Sequence, residues 1–292
     1  MLKAELAYKA DAQIGEGALW DSERELLYWI DIPNGEIHLF NPAVGADRLV
    51  ANVGQYIGTV VQRAGGGLLA AMQRGLYFVD EGGALTHICN PEEEKPLNRF
   101  NDGKCDPAGR FWAGTMPIDC MEPKVGSLYR LDSSLTVTKM LDGITISNGI
   151  IWSPDHKTMY YTDTPTGVVE AFDYDINTGD IGNRRTVIRI ANGEGGPDGI
   201  TIDSEGMLWV AQWGGWKVGR YDPADGRMLD EVEVPAAQVS SCAFGGRNLD
   251  ELFITTARIG ITEANLKNQP LAGSLFRVKT AAKGLKADKF KG

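Results

Sequence analysis

The sequence predicts an all-β protein, a six-bladed β-propeller in which residues 1–292 form one domain. Three observations predict it. Glycine is frequent, at 36 of 292 residues, and the aromatic residues are spread along the whole length. Such punctuation suits many short strands joined by tight turns better than long helices. Six segments share one pattern: a polar lead, a short apolar run, a turn, then a second apolar strand. Their starts lie roughly 42–50 residues apart, the length of one four-stranded propeller blade.

In chain order the repeats are Glu16–Asp31, Gly58–Met72, Asn101–Thr115, Asn148–Asp163, Asp198–Ala211 and Ser241–Thr255. Ahead of them, Leu2–Ala10 is expected to pair with the last blade and close the circle, which removes free sheet edges. The third repeat lies within Arg99–Met116, reading RFNDGKCDPAGRFWAGTM. Its turn is Asp106-Pro107-Ala108-Gly109, where Pro107 pre-sets φ and Gly109 tolerates the left-handed region. The aromatic run after it reads as a buried strand. Further strands begin at a glycine and alternate outward: Gly35–Phe40, Gly126–Arg130, Gly167–Asp173 and Gly273–Val278. Only Ile261–Gln269 suggests helix, and only one short turn of it.

A formal net charge of -10 argues against nucleic acid, because no basic stripe exists to displace counterions from phosphates. It argues equally against an anionic membrane surface. The N-terminus lacks an apolar run of signal-peptide length, and no stretch is long and apolar enough to span a bilayer, so a cytoplasmic location is expected. Cys89, Cys105, Cys120 and Cys242 lie far apart without a C-x-x-C pair. Buried free thiols are expected rather than a zinc site or a disulfide framework. The oligomeric state is open between a monomer and a small homo-oligomer.

In a propeller the residues that open the inner strands converge on one mouth of the central channel. Glu16, Asn148 and Asp198 open three repeats, and each is followed by glycine. Two carboxylates and an amide oxygen are hard donors, suited to Ca²⁺, Mg²⁺ or Mn²⁺, with Zn²⁺ admitted. Three protein donors leave positions for water and a substrate oxygen. The competing reading makes Asn-Gly and Asp-Gly turn dipeptides. Arg99 and Asn101 flank Phe100 on an extended strand and so point to one side, as a clamp for hydroxyl or carbonyl oxygens; a solvated arginine is the alternative. His38, His87 and His156 lack ligand spacing and read as structural. No G-x-S-x-G elbow or P-loop occurs. Trp213-Gly214-Gly215-Trp216 reads either as a sugar-pocket wall or as a tight turn.

With these residues in place, the chain resembles the senescence-marker-protein/gluconolactonase/regucalcin-like family of six-bladed β-propellers over nearly its full length. The strings that carry the likeness are GEGALWD at Gly15–Asp21, RFNDGKCDPAGRFWAGTM at Arg99–Met116, SNGIIWSPD at Ser147–Asp155, GGPDGITID at Gly195–Asp203, WGGWKVGRYDP at Trp213–Pro223 and TTARIGITEANLKNQPLAGSLF at Thr255–Phe276. The resemblance implies one divalent metal ion bound by Glu16, Asn148 and Asp198; Ca²⁺ or Zn²⁺ is expected, with Mg²⁺ or Mn²⁺ admitted by the oxygen donors. It implies a sugar lactone held by Arg99 and Asn101, with Asp119 at the position of a family Glu, which keeps the charge and shortens the reach. It implies hydrolysis of an aldonolactone to the aldonic acid; in that reaction Asp198 is expected to take the proton of the attacking water. A calcium-binding regulatory protein of the regucalcin type is the alternative that the same three donors would serve.

Overall fold

The computed structural model describes residues 2–292. The chain is all-β, apart from a 3-10 turn at Thr164–Thr166 and one helical turn at Glu263–Leu266. Four antiparallel four-stranded sheets follow one another. The first is Gly15–Asp21, Leu26–Asp31, Glu36–Asn41 and Ala46–Asn52. The second runs from Ile57–Gln62 to Leu85–Cys89, the third from Asn98–Cys105 to Val137–Ile144, and the fourth from Ser147–Trp152 to Ile181–Arg189. A nine-stranded sheet holds the rest. One half is built on Gly196–Ile202 and Leu208–Trp213, the other on Gln238–Gly245 and Glu251–Ala257, and the pair Trp213↔Gln238 bridges them.

The N-terminal segment splits between these halves. Glu5–Tyr8 pairs antiparallel with Leu275–Lys279, as expected of a closing strand, whereas Leu2–Lys3 pairs in parallel with Met228–Glu233 in the preceding half. Each repeat read from the sequence covers the first and second strands of one four-stranded unit. The first strands stand side by side in chain order, and Gln238–Gly245 returns to lie against Gly15–Asp21. Ser240 Oγ donates to Gly15 O across that closure.

Burial follows distance from this ring. Gly15–Asp21 is buried at every residue, while Ala46–Asn52, the last strand of its sheet, is mostly exposed. Aliphatic and aromatic side chains fill the spaces between neighbouring sheets, as in the cluster of Val61, Leu69, Phe100, Phe111 and Phe290. Buried aspartates pin these layers. Asp106 Oδ2 accepts from Trp112 Nε1 (3.0 Å), Arg110 Nε (2.6 Å) and Tyr174 OH (2.8 Å), which ties the third sheet to the fourth. Asp203 Oδ2 repeats the pattern with Trp209 Nε1 (3.0 Å) and Arg220 Nε (2.8 Å). The turn predicted at Asp106–Gly109 is present, with Gly109 at φ 91° and its amide donating to Asp106 O.

One element had no signal in the repeat pattern. After Thr280 the chain crosses the end of the ring where the first-to-second strand turns lie. Gly284 bridges Asp203, Phe290 bridges Arg63, and Lys291 N donates to Gly109 O. Phe290 is fully buried between the second and third sheets. Beneath this strap lies a cavity of about 330 Å³ with mainly apolar walls, including Trp20, Trp152, Phe244 and Leu285, and Lys104 at its inner end. Among the described residues no helix is long and apolar enough to cross a membrane.

Candidate active site

The site is made by irregularities in the first strands. In each of them the register with the second strand slips, and the slip falls at or directly beside the residue that opens the repeat. The breaks lie between Glu16 and Leu19, Ile57 and Thr59, Phe100 and Gly103, Ser147 and Ile150, Pro197 and Ile200, and Val239 and Ser241. A bulge leaves its extra residue out of the ladder and re-aims the side chain. The unpaired residues include Asn101, Asp102, Asn148, Asp198 and Ser240. The turn-dipeptide reading of Asn148-Gly149 and Asp198-Gly199 is thereby corrected, because both lie inside strands. Their glycines serve close approach instead. A Cβ on Gly149 would stand 2.5 Å from Asp198 O, and one on Gly199 would stand 2.7 Å from Ser241 Oγ.

Glu16, Arg99, Asn101, Asp102, Asn148 and Asp198 are all at most 6% exposed, although each is polar or charged. Burying such groups is costly unless they find partners. Glu16 Oε2 accepts from Gly17 N (2.6 Å), and Asp102 Oδ1 from Gly103 N (2.7 Å). Arg99 Nη1 donates to Asn101 Oδ1 (2.6 Å) and to Phe100 O (3.0 Å), so the two members of the expected clamp do meet. Asn101 Nδ2 donates to Ser147 O (2.8 Å) and Asn148 Oδ1 (3.2 Å). Asn148 Nδ2 donates to Thr164 Oγ1 (2.8 Å), whose hydroxyl donates to Pro197 O (2.8 Å). Lys104 Nζ donates to Ile200 O from below. Asp198 Oδ1 and Asp102 Oδ2 are buried without a protein partner.

Three carboxyl groups thus share one enclosed space with a single ammonium. Burial and the nearby Asp102 charge push Glu16 up to about 8, against the opposing pull of Gly17 N, the Lys104 ammonium and a hydrogen bond with Asp198. Burial and the charges of Glu16 and Asp102 raise Asp198 well above the usual carboxylate range, and burial raises Asp102. Arg99 is drawn down to about 10 by burial, an effect that Cys120, Tyr56, Glu16 and Asp198 partly offset. The cluster is short of positive charge, and its free atoms are hard oxygens. Among the described residues no group of three His, Cys, Asp or Glu side chains stands ready to hold a metal; the donors available are two carboxylates, Glu16 and Asp198, and the Asn148 amide.

Other expected residues fall elsewhere. Asp119 is exposed on the loop after Phe111–Pro117, with its Oδ1 accepting from Met121 N (3.0 Å). The four cysteines are free, but Cys120 is exposed and Cys89 half-buried, so only Cys105 and Cys242 match the expectation of buried thiols. Trp213–Trp216 forms the turn into Lys217–Tyr221 with Trp216 exposed at φ 61°. His156 occupies a left-handed turn position, whereas His38 is stacked on Trp29 and bonded to Asp47 (2.7 Å). Sequence reasoning did not single out Asp102, Lys104, Thr164 or Ser240. The alternation Asp102, Gly103, Lys104 along one strand was the available signal for two of them.

A propeller-like ring of antiparallel sheets, with buried carboxylates and amides gathered at the bulges of its inner strands, defines a protein with an oxygen-rich central site. The family described as "SMP-30/Gluconolactonase/LRE-like region" matches residues 14–258, and the chain belongs to that family. Regucalcin of Danio rerio is 41% identical over 95% of this chain and 94% of its own length. A Bacillus subtilis (strain 168) protein named "Putative sugar lactone lactonase YvrE" is 40% identical over 96% of both. The solved structure of regucalcin from Agrobacterium tumefaciens strain C58, described as a calcium-binding protein, superposes with a TM-score of 0.94 at 30% identity, covering 100% of this chain and 98% of that one.

Proposed function

We propose that the chain is a single six-bladed propeller, the nine-stranded sheet counting as two blades, and that it hydrolyses a sugar lactone to the aldonic acid with a divalent cation. The observation that carries this is the buried cluster of Glu16, Asp198 and Asn148, with Asp198 Oδ1 unpartnered and the carboxyls crowded against one another. Three carboxylates against the Lys104 ammonium and the Arg99 guanidinium leave a net negative charge, which favours a bound cation. Glu16, Asn148 and Asp198 would hold that ion, Ca²⁺ or Zn²⁺ on the family likeness and Mg²⁺ or Mn²⁺ by ligand type. When bound, it supplies Lewis-acid stabilisation of the charge that develops on the lactone carbonyl oxygen.

The chain's own groups do the rest. Arg99 and Asn101, already bonded to each other, orient the sugar hydroxyls, and Asp119 would join them only if its loop folded inward. Asp198 accepts the proton of the attacking water as the C–O bond to the carbonyl carbon forms. It returns that proton to the ring oxygen as the lactone bond breaks. Burial excludes bulk water from the cluster and strengthens each of these interactions. One relative, named "Putative sugar lactone lactonase YvrE", supports this reading, while the regucalcins among the relatives bear on the cation alone. A purely cation-binding regulator would use the same donors and would leave the Arg99–Asn101 clamp without a task. Cytoplasmic location and a lone small-molecule partner complete the proposal.

The test is acid release from a panel of aldonolactones by chelator-stripped protein, with Ca²⁺, Zn²⁺, Mg²⁺ and Mn²⁺ restored singly. Turnover that vanishes with chelator, returns with one cation and is lost in Asp198→Asn is expected. Tight Ca²⁺ binding with no turnover of any lactone would replace this reading with the regulatory one.

A further inference from the structure

The hydrogen bonds around Asn148 form one chain whose direction is fixed at both ends. At one end Pro197 O can only accept, so the single proton of the Thr164 hydroxyl is committed to it (2.8 Å). Thr164 Oγ1 must then accept from Asn148, which turns the Nδ2 end of that amide toward Thr164 (2.8 Å) and the Oδ1 end away from it. At the other end the Arg99 guanidinium can only donate, so the Asn101 end that it meets is Oδ1 (2.6 Å). Asn101 Nδ2 then faces Ser147 O, which can only accept (2.8 Å), and Asn148 Oδ1 (3.2 Å). An amide's two ends are distinguished by their partners rather than by shape, and here both ends of the chain give the same answer.

We infer that Thr164 is a positioning residue for the cation site: by spending its proton on Pro197 O, it holds the Asn148 amide with its oxygen, not its nitrogen, available as a donor. The inference rests on the cation reading of the site proposed above. Asn148 Oδ1 accepts from Asn101 and keeps a second lone pair. A reversed amide would put two N–H donors where an oxygen is needed and would leave Thr164 facing an acceptor it has no proton to serve. Thr164 is itself fixed by its backbone amide, which donates to Ile146 O (3.1 Å), and by close packing of its methyl against Gly196. Pro197 directly precedes Asp198 in sequence, so the same hydroxyl ties the Asn148 side chain to the backbone that carries a second donor.

Thr164→Val keeps the shape and the methyl contact and removes only the hydroxyl. The experiment is calorimetric titration of Ca²⁺ into chelator-stripped protein, with thermal unfolding in chelator to confirm that each variant is folded. Thr164→Val should bind Ca²⁺ about 10- to 100-fold more weakly, the usual effect of losing a partner that orients a metal ligand, and Thr164→Ser should match the wild type. In an Asn148→Asp background the effect should disappear, because both carboxylate oxygens are equivalent and no orientation remains to be held. Wild-type affinity in Thr164→Val, or an equal loss in the Asn148→Asp background, would overturn the inference while leaving the cation site standing. A wild-type protein that takes up no Ca²⁺ would overturn the cation reading and this inference with it.

Discussion

Replacing Gly149 by alanine tests whether the convergence of the inner strands builds the site. The added Cβ would stand 2.4 Å from Ile200 Cγ1, 2.5 Å from Asp198 O and 2.8 Å from Ile200 Cδ1. Carbon atoms rest about 3.5–4.0 Å apart. The Ile200 side chain can rotate away from the clash, but the Asp198 carbonyl is backbone and cannot. Strand Gly196–Ile202 must therefore move outward by about an ångström, at a cost of about 1–3 kcal/mol for overpacking. The moving strand carries Asp198, and a displacement of about 1 Å at reacting groups can cost about 100-fold in rate. Urea unfolding and acid-release kcat/KM would both be measured. Gly182→Ala is the control, since nothing lies within 4 Å of its Cβ position; it should stay within about 0.5 kcal/mol of wild type. A Gly149→Ala protein as stable as the parent, with unchanged kcat/KM, would refute the argument that strand proximity sets the position of Asp198.

Three further outcomes are expected. Phe290→Ala should lower the unfolding free energy by about 3–5 kcal/mol, as for other buried aromatics, and leave KM unchanged, because the strap crosses the end of the ring away from the clamp; urea midpoints and lactone kinetics check both halves. His38 is raised above its ordinary value: burial works against its charge, but Asp47 (2.7 Å) and Glu36 (3.4 Å) outweigh that. A group raised on folding contributes stability that is complete below its unfolded value of about 6.5 and is lost as pH rises through the folded one. His38→Gln should therefore flatten the decline of stability above about pH 6.5, measured by denaturant unfolding across pH; an unchanged slope would remove His38 from the account. Saturating Ca²⁺ should stabilise the stripped protein by about 2.7 kcal/mol at a hundredfold excess over Kd, and Asp198→Asn should abolish most of that gain; a melting temperature indifferent to the ion would contradict the charge balance drawn for the cluster.

The local features were legible because they need only neighbours in sequence. Asp106-Pro107-Ala108-Gly109 forms its turn wherever two strands need joining, and the spacing of Glu16, Asn148 and Asp198 followed from repeat length. Residue type and repeat position singled these three out, the resemblance agreed, and the structure buries them near Arg99 and Asn101. Asp119 was reached through the likeness alone, and the structure leaves it on an exposed loop with its own backbone contact. The glycines after Asn148 and Asp198 were ambiguous in sequence because a turn and a close strand approach both favour a missing Cβ. Only the neighbouring strand decides between them.

By itself, then, the sequence determined the β character, the repeat that sets one sheet after another, the turns, and which residues lie near the start of each inner strand. Those follow from periodicity and from φ preferences over a few residues. The tertiary structure decided the rest: the slips in register that lift Asn101, Asp102, Asn148 and Asp198 out of their ladders, the Lys104 ammonium among three carboxyls, the sense of the Asn148 amide, and the strap that ends in Phe290. Each of these is a relation between residues tens or hundreds of positions apart. Such contacts have no local periodicity to reveal them, because they are set by which strand ends up beside which once the ring closes.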